Sequence, residues 1–186
     1  RSTGTTGTNS LSQGTGNIVS GVQSSAFGRT NSVTGSASSA IGTANSVSGN
    51  QAVAFGNTNV ASGYASIAGG ILSGATGTHS MAFGTGVNSF NYGQFCIGHY
   101  NVNSSLNPST FVTAGDAFII GGGSSSTSRA NVFRVNYSGS VHATGTFNSY
   151  GADYAEFFEW LDGNVEDEDR IGCVVALDGD KIRKAN

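Results

Sequence analysis

The chain has 186 residues, of which 29 are Gly, one is Pro and one is Trp, and only 10% are charged. Gly at this density, among so much Ser, Thr and Asn, costs helix propensity throughout and excludes an ordinary helical globule. The net charge of -3 is unevenly placed: before residue 149 Arg1, Arg29, Arg129 and Arg134 face one acid, Asp116, whereas residues 149–186 hold ten acids against four bases. No basic patch exists to neutralise several phosphates, which excludes nucleic acid as a partner, and no apolar run approaches the ~18 residues of a helical membrane span.

Arg1-Ser2-Thr3-Gly4 carries no signal peptide and reads as the interior of a longer polypeptide. Gly7 and Gly14 already keep a seven-residue spacing that dominates residues 17–100. One series there is Gly21, Gly35, Gly49, Gly63 and Gly77; a second is Gly28, Gly42, Gly56, Gly70, Gly84 and Gly98, so the full period is 14. A fixed short period predicts a solenoid of stacked coils, each with two strands of about five residues and two tight turns whose positive backbone angles Gly supplies.

Three columns run through the repeats: Ser25, Ser39, Val53, Ile67, Met81, Phe95; then Ala26, Ala40, Ala54, Ala68, Ala82, Cys96; then Phe27, Ile41, Phe55, Gly69, Phe83, Ile97. Alternation puts the first and third on one face and the second on the other. The expectation is that the large side chains fill a thin interior while the Ala column forms a surface for close approach of another backbone. A column of Val19, Val33 and Val47 weakens to Ala61 and Ala75. Each coil has few large apolar groups to set against an ordering cost of about 1–2 kcal/mol per residue, so several chains are expected to pack their rolls together. Phe90, Tyr92, Phe95 and Tyr100 gather in an irregular last rung, where Asn91 replaces Gly, as a cap or a junction to a wider element.

Residues 101–110 read as a polar linker, Phe111–Ile120 as two short strands joined at Gly115-Asp116, and Asn131–Phe147 as a strand, a Ser138-Gly139 turn and a second strand. The Gly-rich loop 121–128 lacks the Gly-Lys-Ser/Thr ending of a phosphate loop. Tyr154–Trp160 is either a short helix or an irregular docking segment. Ile171–Leu177 is a strand, Asp178-Gly179-Asp180 a turn, and Lys181 opens another strand that Asn186 leaves in mid-pattern, so the polypeptide is expected to continue.

His79, His99 and His142 show no metal-pair spacing, the acidic run Glu166–Asp169 lacks the calcium-loop pattern, and Cys96 stands where other coils have Ala. No cofactor and no metal is expected. One stretch at the charge boundary does carry chemistry. Ser149 has a hydroxyl, Asp153 a carboxylate four residues on, and Gly151 permits a bend between them. A Ser hydroxyl so activated can attack the carbonyl of the preceding residue, here Asn148, and convert the peptide bond to an ester that water cuts. The same Ser-x-x-x-Asp spacing also suits a plain helix or turn cap.

Residues 17–98 resemble the head repeats of trimeric autotransporter adhesins, whose Ser-Val-Ala-Ile-Gly corresponds to Ala52–Gly56 and Ser80–Gly84. That resemblance implies an all-β fold, a left-handed parallel β-roll solenoid in a homotrimer. Residues 147–186 resemble the opening of the peptidase G2-type intramolecular chaperone domain of phage neck appendages and endosialidase tailspikes, through Asn148–Asn164, Asp169–Gly172 and Leu177–Asn186. It implies scission between Asn148 and Ser149 with Ser149 and Asp153 as the catalytic pair, and a released piece that trimerises the fibre and helps it fold.

The resulting domain expectation is a roll at 1–100, a fibre connector of short β-hairpin or β-prism segments at 101–148, and a small partial C-terminal domain at 149–186. The leading function is a structural segment of a trimeric fibre, in a phage tail or neck appendage or on a bacterial surface. One alternative is an adhesin that binds a host glycan or receptor through Tyr64, Tyr92 or Tyr100 without cleavage. The other, a polysaccharide-cleaving tailspike fragment, needs paired carboxylates, and residues 1–148 contain only Asp116.

Overall fold

A computed structural model describes residues 7–103, 106–146 and 158–185. The chain divides into two compact units, Arg1–Thr146 and Phe147–Asn186. Every regular element among the described residues is a strand. The first unit opens with β1 (Leu11–Thr15), β2 (Ile18–Val19), β3 (Ser25–Arg29), β4 (Ser32–Val33), β5 (Ser39–Thr43), β6 (Ser46–Val47), β7 (Val53–Asn57), β8 (Val60–Ala61), β9 (Ile67–Ile71), β10 (Gly74–Ala75), β11 (Met81–Thr85), β12 (Asn88–Ser89) and β13 (Phe95–His99). Long and short strands alternate. The long ones stack into one parallel ladder and the short ones into a separate six-stranded parallel sheet, so each coil contributes one strand to each wall. Ser25 pairs with Ser39 and Ser39 with Val53, which is the 14-residue period of the sequence made structural.

The columns take the opposite faces from those expected. Ala26, Ala40, Ala54, Ala68, Ala82 and Cys96 are each 0% exposed and form the core with Val19, Val33, Val47, Ala61 and Ala75. Ile41 is 51% and Phe55 41% exposed. Volume decides this. The coil interior must also hold a polar side chain at each of its two corners, and what remains accepts one small and one medium apolar group per rung. Larger side chains are turned outward.

At one corner Asn17, Asn31, Asn45 and Asn59 are fully or almost fully buried. The Asn45 Nδ2 donates to the carbonyls of Ile41 (3.1 Å) and Gly56 (3.0 Å), while its Oδ1 accepts the Asn59 backbone N–H at 3.0 Å. Ser24 and Ser38 play the equivalent part at the other corner, donating to the carbonyls of Gly35 (2.7 Å) and Gly49 (2.8 Å). These ladders satisfy carbonyls that the tight turns would otherwise leave buried and unpaired. The Asn ladder ends at Ser73 and Val87, which hold the next two corner positions.

Close approach of the next coil requires both Gly series, since a Cβ at Gly42 would also strike the carbonyl oxygen of Gly56; the series from Gly28 to Gly98 adds a positive φ within the strands and not in the turns, where it was expected. Gly42 lies inside β5 with φ +119, a backbone conformation closed to L side chains. At Gly35 any Cβ would strike the carbonyl oxygen of Gly49 on the next coil. The turns themselves place mostly non-Gly residues in the left-handed region, among them Gln23, Thr30, Ala37, Ala44, Gln51 and Thr58. Side chains there point to solvent, and the repeated inter-rung hydrogen bonds hold the strained angle.

After β13 the period breaks. Phe95 pairs with Phe118 of β14 (Asp116–Gly122), 23 residues on rather than 14, and the inserted linker is bound to the roll by Thr78 N–H to Pro108 O (2.8 Å) and Tyr92 N–H to Asn107 O (3.0 Å). Phe111–Ala114 does not form the expected strand, because Gly115 N–H closes a turn onto Val112 O at 2.9 Å. β15 (Asn131–Asn136) and β16 (Val141–Ala143) then pair antiparallel about the Ser138-Gly139 turn, as expected, and complete a ten-stranded sheet.

The described residues of the second unit form one antiparallel pair, β17 (Val175–Asp178) and β18 (Lys181–Lys184). Its first strand begins later than expected, since Cys173 N–H turns back onto Arg170 O (3.2 Å) with Gly172 at φ +77. None of its described residues is buried.

Candidate functional site

Asn148, Ser149 and Asp153 lie outside the described residues, as does most of Tyr154–Trp160. Both flanks are described. Upstream, β16 is an edge strand whose three residues are all exposed, and Thr144 N–H bonds to Val132 O at 3.0 Å beyond it. Downstream, Trp160 bridges Ile182 of β18, with Leu161 N–H to Ile182 O (2.8 Å) and Ile182 N–H to Glu159 O (3.0 Å). The chain leaving the Ser149–Asp153 stretch is thereby fixed to the hairpin.

Arg170 fastens the same corner. Its guanidinium donates to both carboxylate oxygens of Asp162 at 2.8 Å and to Glu168 Oε2 at 3.1 Å, and stands 4.5 Å from the centre of the Trp160 ring. Lys184 Nζ reaches the same Glu168 oxygen at 2.8 Å. The Arg170 side chain is only 8% exposed, covered by its ionic and aromatic partners and not by an apolar core. Hydrogen bonds from Arg170, then from the Asn164 backbone, draw the Asp162 carboxyl down to about 2. Lys184, then Arg170, lowers that of Glu168, and Asp162 above all raises the Arg170 guanidinium. A cleft of about 330 Å³ is lined by Leu161, Asp162, Glu168, Arg170, Arg183 and Lys184. Bidentate geometry with a stacked ring fixes the direction of the chain. It supplies no nucleophile.

In the first unit the three His residues are not brought together, and no group of three or more His, Cys, Asp or Glu suited to a metal occurs among the described residues. Asp116 is 3% exposed, with Arg134 Nη1 at 3.6 Å. Of the Tyr residues considered for adhesion, Tyr100 lies under Arg129 (5.7 Å), whereas Tyr64 and Tyr92 flank His79. The feature that sequence reasoning misplaced is the outer face of the ten-stranded sheet. Val53, Ile67, Met81, Phe95, Ile41, Phe55 and Phe83 line it, half-buried or exposed. The outer face of the short-strand sheet is mixed: Ile18 and Val60 stand exposed in its strands beside Ser46, and exposed Ser20, Thr34, Ser48 and Ser62 directly follow them.

Residues 103–186 match the family described as Peptidase_G2, IMC autoproteolytic cleavage domain. The matched stretch begins in the linker before β14 and runs through the second unit, so it takes in more of the chain than residues 147–186, on which the resemblance was drawn. No curated protein matches the chain.

Proposed function

We propose that the chain is a segment of a homotrimeric fibre, a left-handed β-roll followed by a connector and by a region that matures the fibre by cutting itself. The observation that carries this is the match of residues 103–186 to an autoproteolytic cleavage domain, directly after a β-solenoid. Ser149 Oγ attacks the Asn148 carbonyl carbon as Asp153 takes the hydroxyl proton. The tetrahedral intermediate collapses with cleavage of the C–N bond, the leaving nitrogen gains a proton, and Asn148 is left as an ester on Ser149. Water then hydrolyses the ester to an Asn148 carboxylate and a free Ser149 hydroxyl and amine. One turnover is sufficient, so preorganisation can replace a histidine.

The trimer is supported by the asymmetry between the two walls of the roll. An apolar outer face over successive rungs is what a shared interface requires, and the shorter mixed wall, where Ser and Thr surround Ile18 and Val60, suits solvent better. Long stacks of non-local pairings fold slowly and expose edges while they do, which gives a trimerising maturation region its use. Removing that region makes unfolding irreversible. The assignment of 1–100, 101–148 and 149–186 to roll, connector and maturation region, and a place in a phage tail or neck appendage or on a bacterial surface, belong to the same reading. A polysaccharide-cleaving spike is disfavoured, because the one acid of residues 7–146, Asp116, is buried.

Intact mass of the full-length precursor tests the cleavage. The expected result is two fragments parting at Asn148–Ser149, none from Ser149→Ala or Asp153→Asn, with assembly unchanged in both variants. Cutting of the same bond in Ser149→Ala removes Ser149 from the mechanism.

A further inference from the structure

We propose that the corner of the roll formed by Tyr64, His79 and Tyr92 is a binding site for a neutral oligosaccharide. The inference goes beyond the fibre reading above by giving the roll a ligand, and it does not depend on cleavage.

Each short strand is joined to the next long one by two turn residues: Val22-Gln23, Ser36-Ala37, Asn50-Gln51, Tyr64-Ala65, Thr78-His79 and Tyr92-Gly93. The second of each pair takes a positive φ, 58° at His79 and 51° at Ala65. Ala and Gly meet this backbone need on other coils, so an imidazole at position 79 serves something other than the turn. From the fourth pair onward the corner becomes aromatic. The His79 ring lies 5.7 Å from that of Tyr64 and 5.3 Å from that of Tyr92, tilted by 59° and 63°. Tyr64 is 45% exposed, and its hydroxyl donates to Gln51 Oε1 at 3.0 Å. Tyr92 is held from behind, its carbonyl accepting the Tyr137 hydroxyl at 3.1 Å.

The chemistry of the corner selects the ligand. Between Gly7 and Val102 the only Asp, Glu, Lys or Arg is Arg29, so nothing here recruits a charged polymer. An apolar side chain would cover the Gln51 amide N–H groups and the imidazole without pairing them, at about 1–3 kcal/mol for each group left unsatisfied. A sugar ring satisfies both demands, with C–H faces to lie against the aromatic rings and hydroxyls to pair with the amide and imidazole. Coils stack about 4.8 Å apart, so Tyr64 and Tyr92, two coils apart, span roughly 10 Å along the roll axis, enough for consecutive sugar units.

Saturation-transfer NMR on the full chain, with maltohexaose, cellohexaose and N-acetylglucosamine hexamer as probes and a sialic acid oligomer as acidic control, tests the site. The expected result is saturable binding of at least one neutral hexamer, weakened about tenfold or more by Tyr64→Ala and by His79→Gly. His79→Gly keeps the left-handed backbone and removes only the imidazole, so it provides the answer if Tyr64→Ala does not fold. Ser48→Ala, on the short-strand wall, should leave binding unchanged. Failure of all neutral hexamers to bind, binding indifferent to both variants, or binding of the acidic oligomer alone overturns the proposal. The mass of the assembly, measured on the same samples, separates failure of this site from failure of the trimer.

Discussion

The rings of Phe55 and Phe83 meet at 5.8 Å across Gly69, which occupies the coil between them. A Cβ at Gly69 would lie 2.6 Å from the Phe55 ring and 2.8 Å from that of Phe83. From Phe83 the contacts run on to Phe95 (5.9 Å), Phe118 (5.5 Å) and Phe133 (6.2 Å), so one aromatic line crosses from the roll into the connector. Gly69→Ala must push both rings apart and should lower stability by about 1–3 kcal/mol in denaturant unfolding. An unchanged midpoint would show that the rings have room.

Asn45→Ala removes the donor to two carbonyls and the acceptor for Asn59 in the middle of a buried ladder. A loss of about 3 kcal/mol is expected, since the groups left behind have no water to turn to. Ser48→Ala, on the exposed wall, should stay within about 0.5 kcal/mol. Equal effects would mean that the Asn ladder contributes nothing specific.

These two positions show how far the sequence could be read. The solenoid, its period and its pairing register were legible because Gly28 and Gly42 recur at fixed spacing and align rung by rung. The direction of the faces was not. Alternation says that Ala40 and Ile41 oppose each other but not which is inside, and apolar size argued for Ile41. The deciding signal lay in Asn31, Asn45 and Asn59, a column of amides whose burial consumes the interior volume. It could have been found by asking where a column of Asn at the same 14-residue spacing sends its hydrogen bonds. Phe111–Val112 looked like a strand because turn closure by Gly115 leaves no mark in local propensity. The Arg170 clamp joins residues 160, 162, 168 and 184, a constellation that no spacing rule foretells.

The two thiols should separate cleanly. Burial, partly offset by a hydrogen bond with Ser89, pushes the Cys96 thiol up to about 12, whereas Cys173 is exposed. A thiol reagent at pH 8 should label one Cys per native chain and two in denaturant, because the thiolate is the reacting species. Rapid labelling of Cys96 in the native state would mean that the interior opens.

Asp162 gives the second unit a defined pH response. Its carboxyl is held at about 2 against an ordinary 3.8, so its contribution is complete above pH 4 and is lost as pH falls through about 2. NMR titration should place that carboxyl near 2 in the native chain. In Arg170→Met it should return to about the ordinary carboxylate range. High salt should weaken the shift, since the group is exposed. A normal titration in the native chain would contradict the bidentate geometry.

Met81 and Phe55 stand exposed on the long-strand face of a single chain. Met81→Asp or Phe55→Asp is therefore mild for one roll and severe for an assembly that covers this face. Either should lower the mass of the particle in solution, and Ser48→Asp should leave it unchanged. Dissociation by Ser48→Asp alone would place the contact on the other wall.

In the proposed trimer, three copies cover the line from Ile41 to Phe95. Sedimentation equilibrium of the full chain addresses this directly: a mass three times that of the polypeptide, independent of loading concentration, is the predicted result. A single-chain mass at every concentration would contradict it.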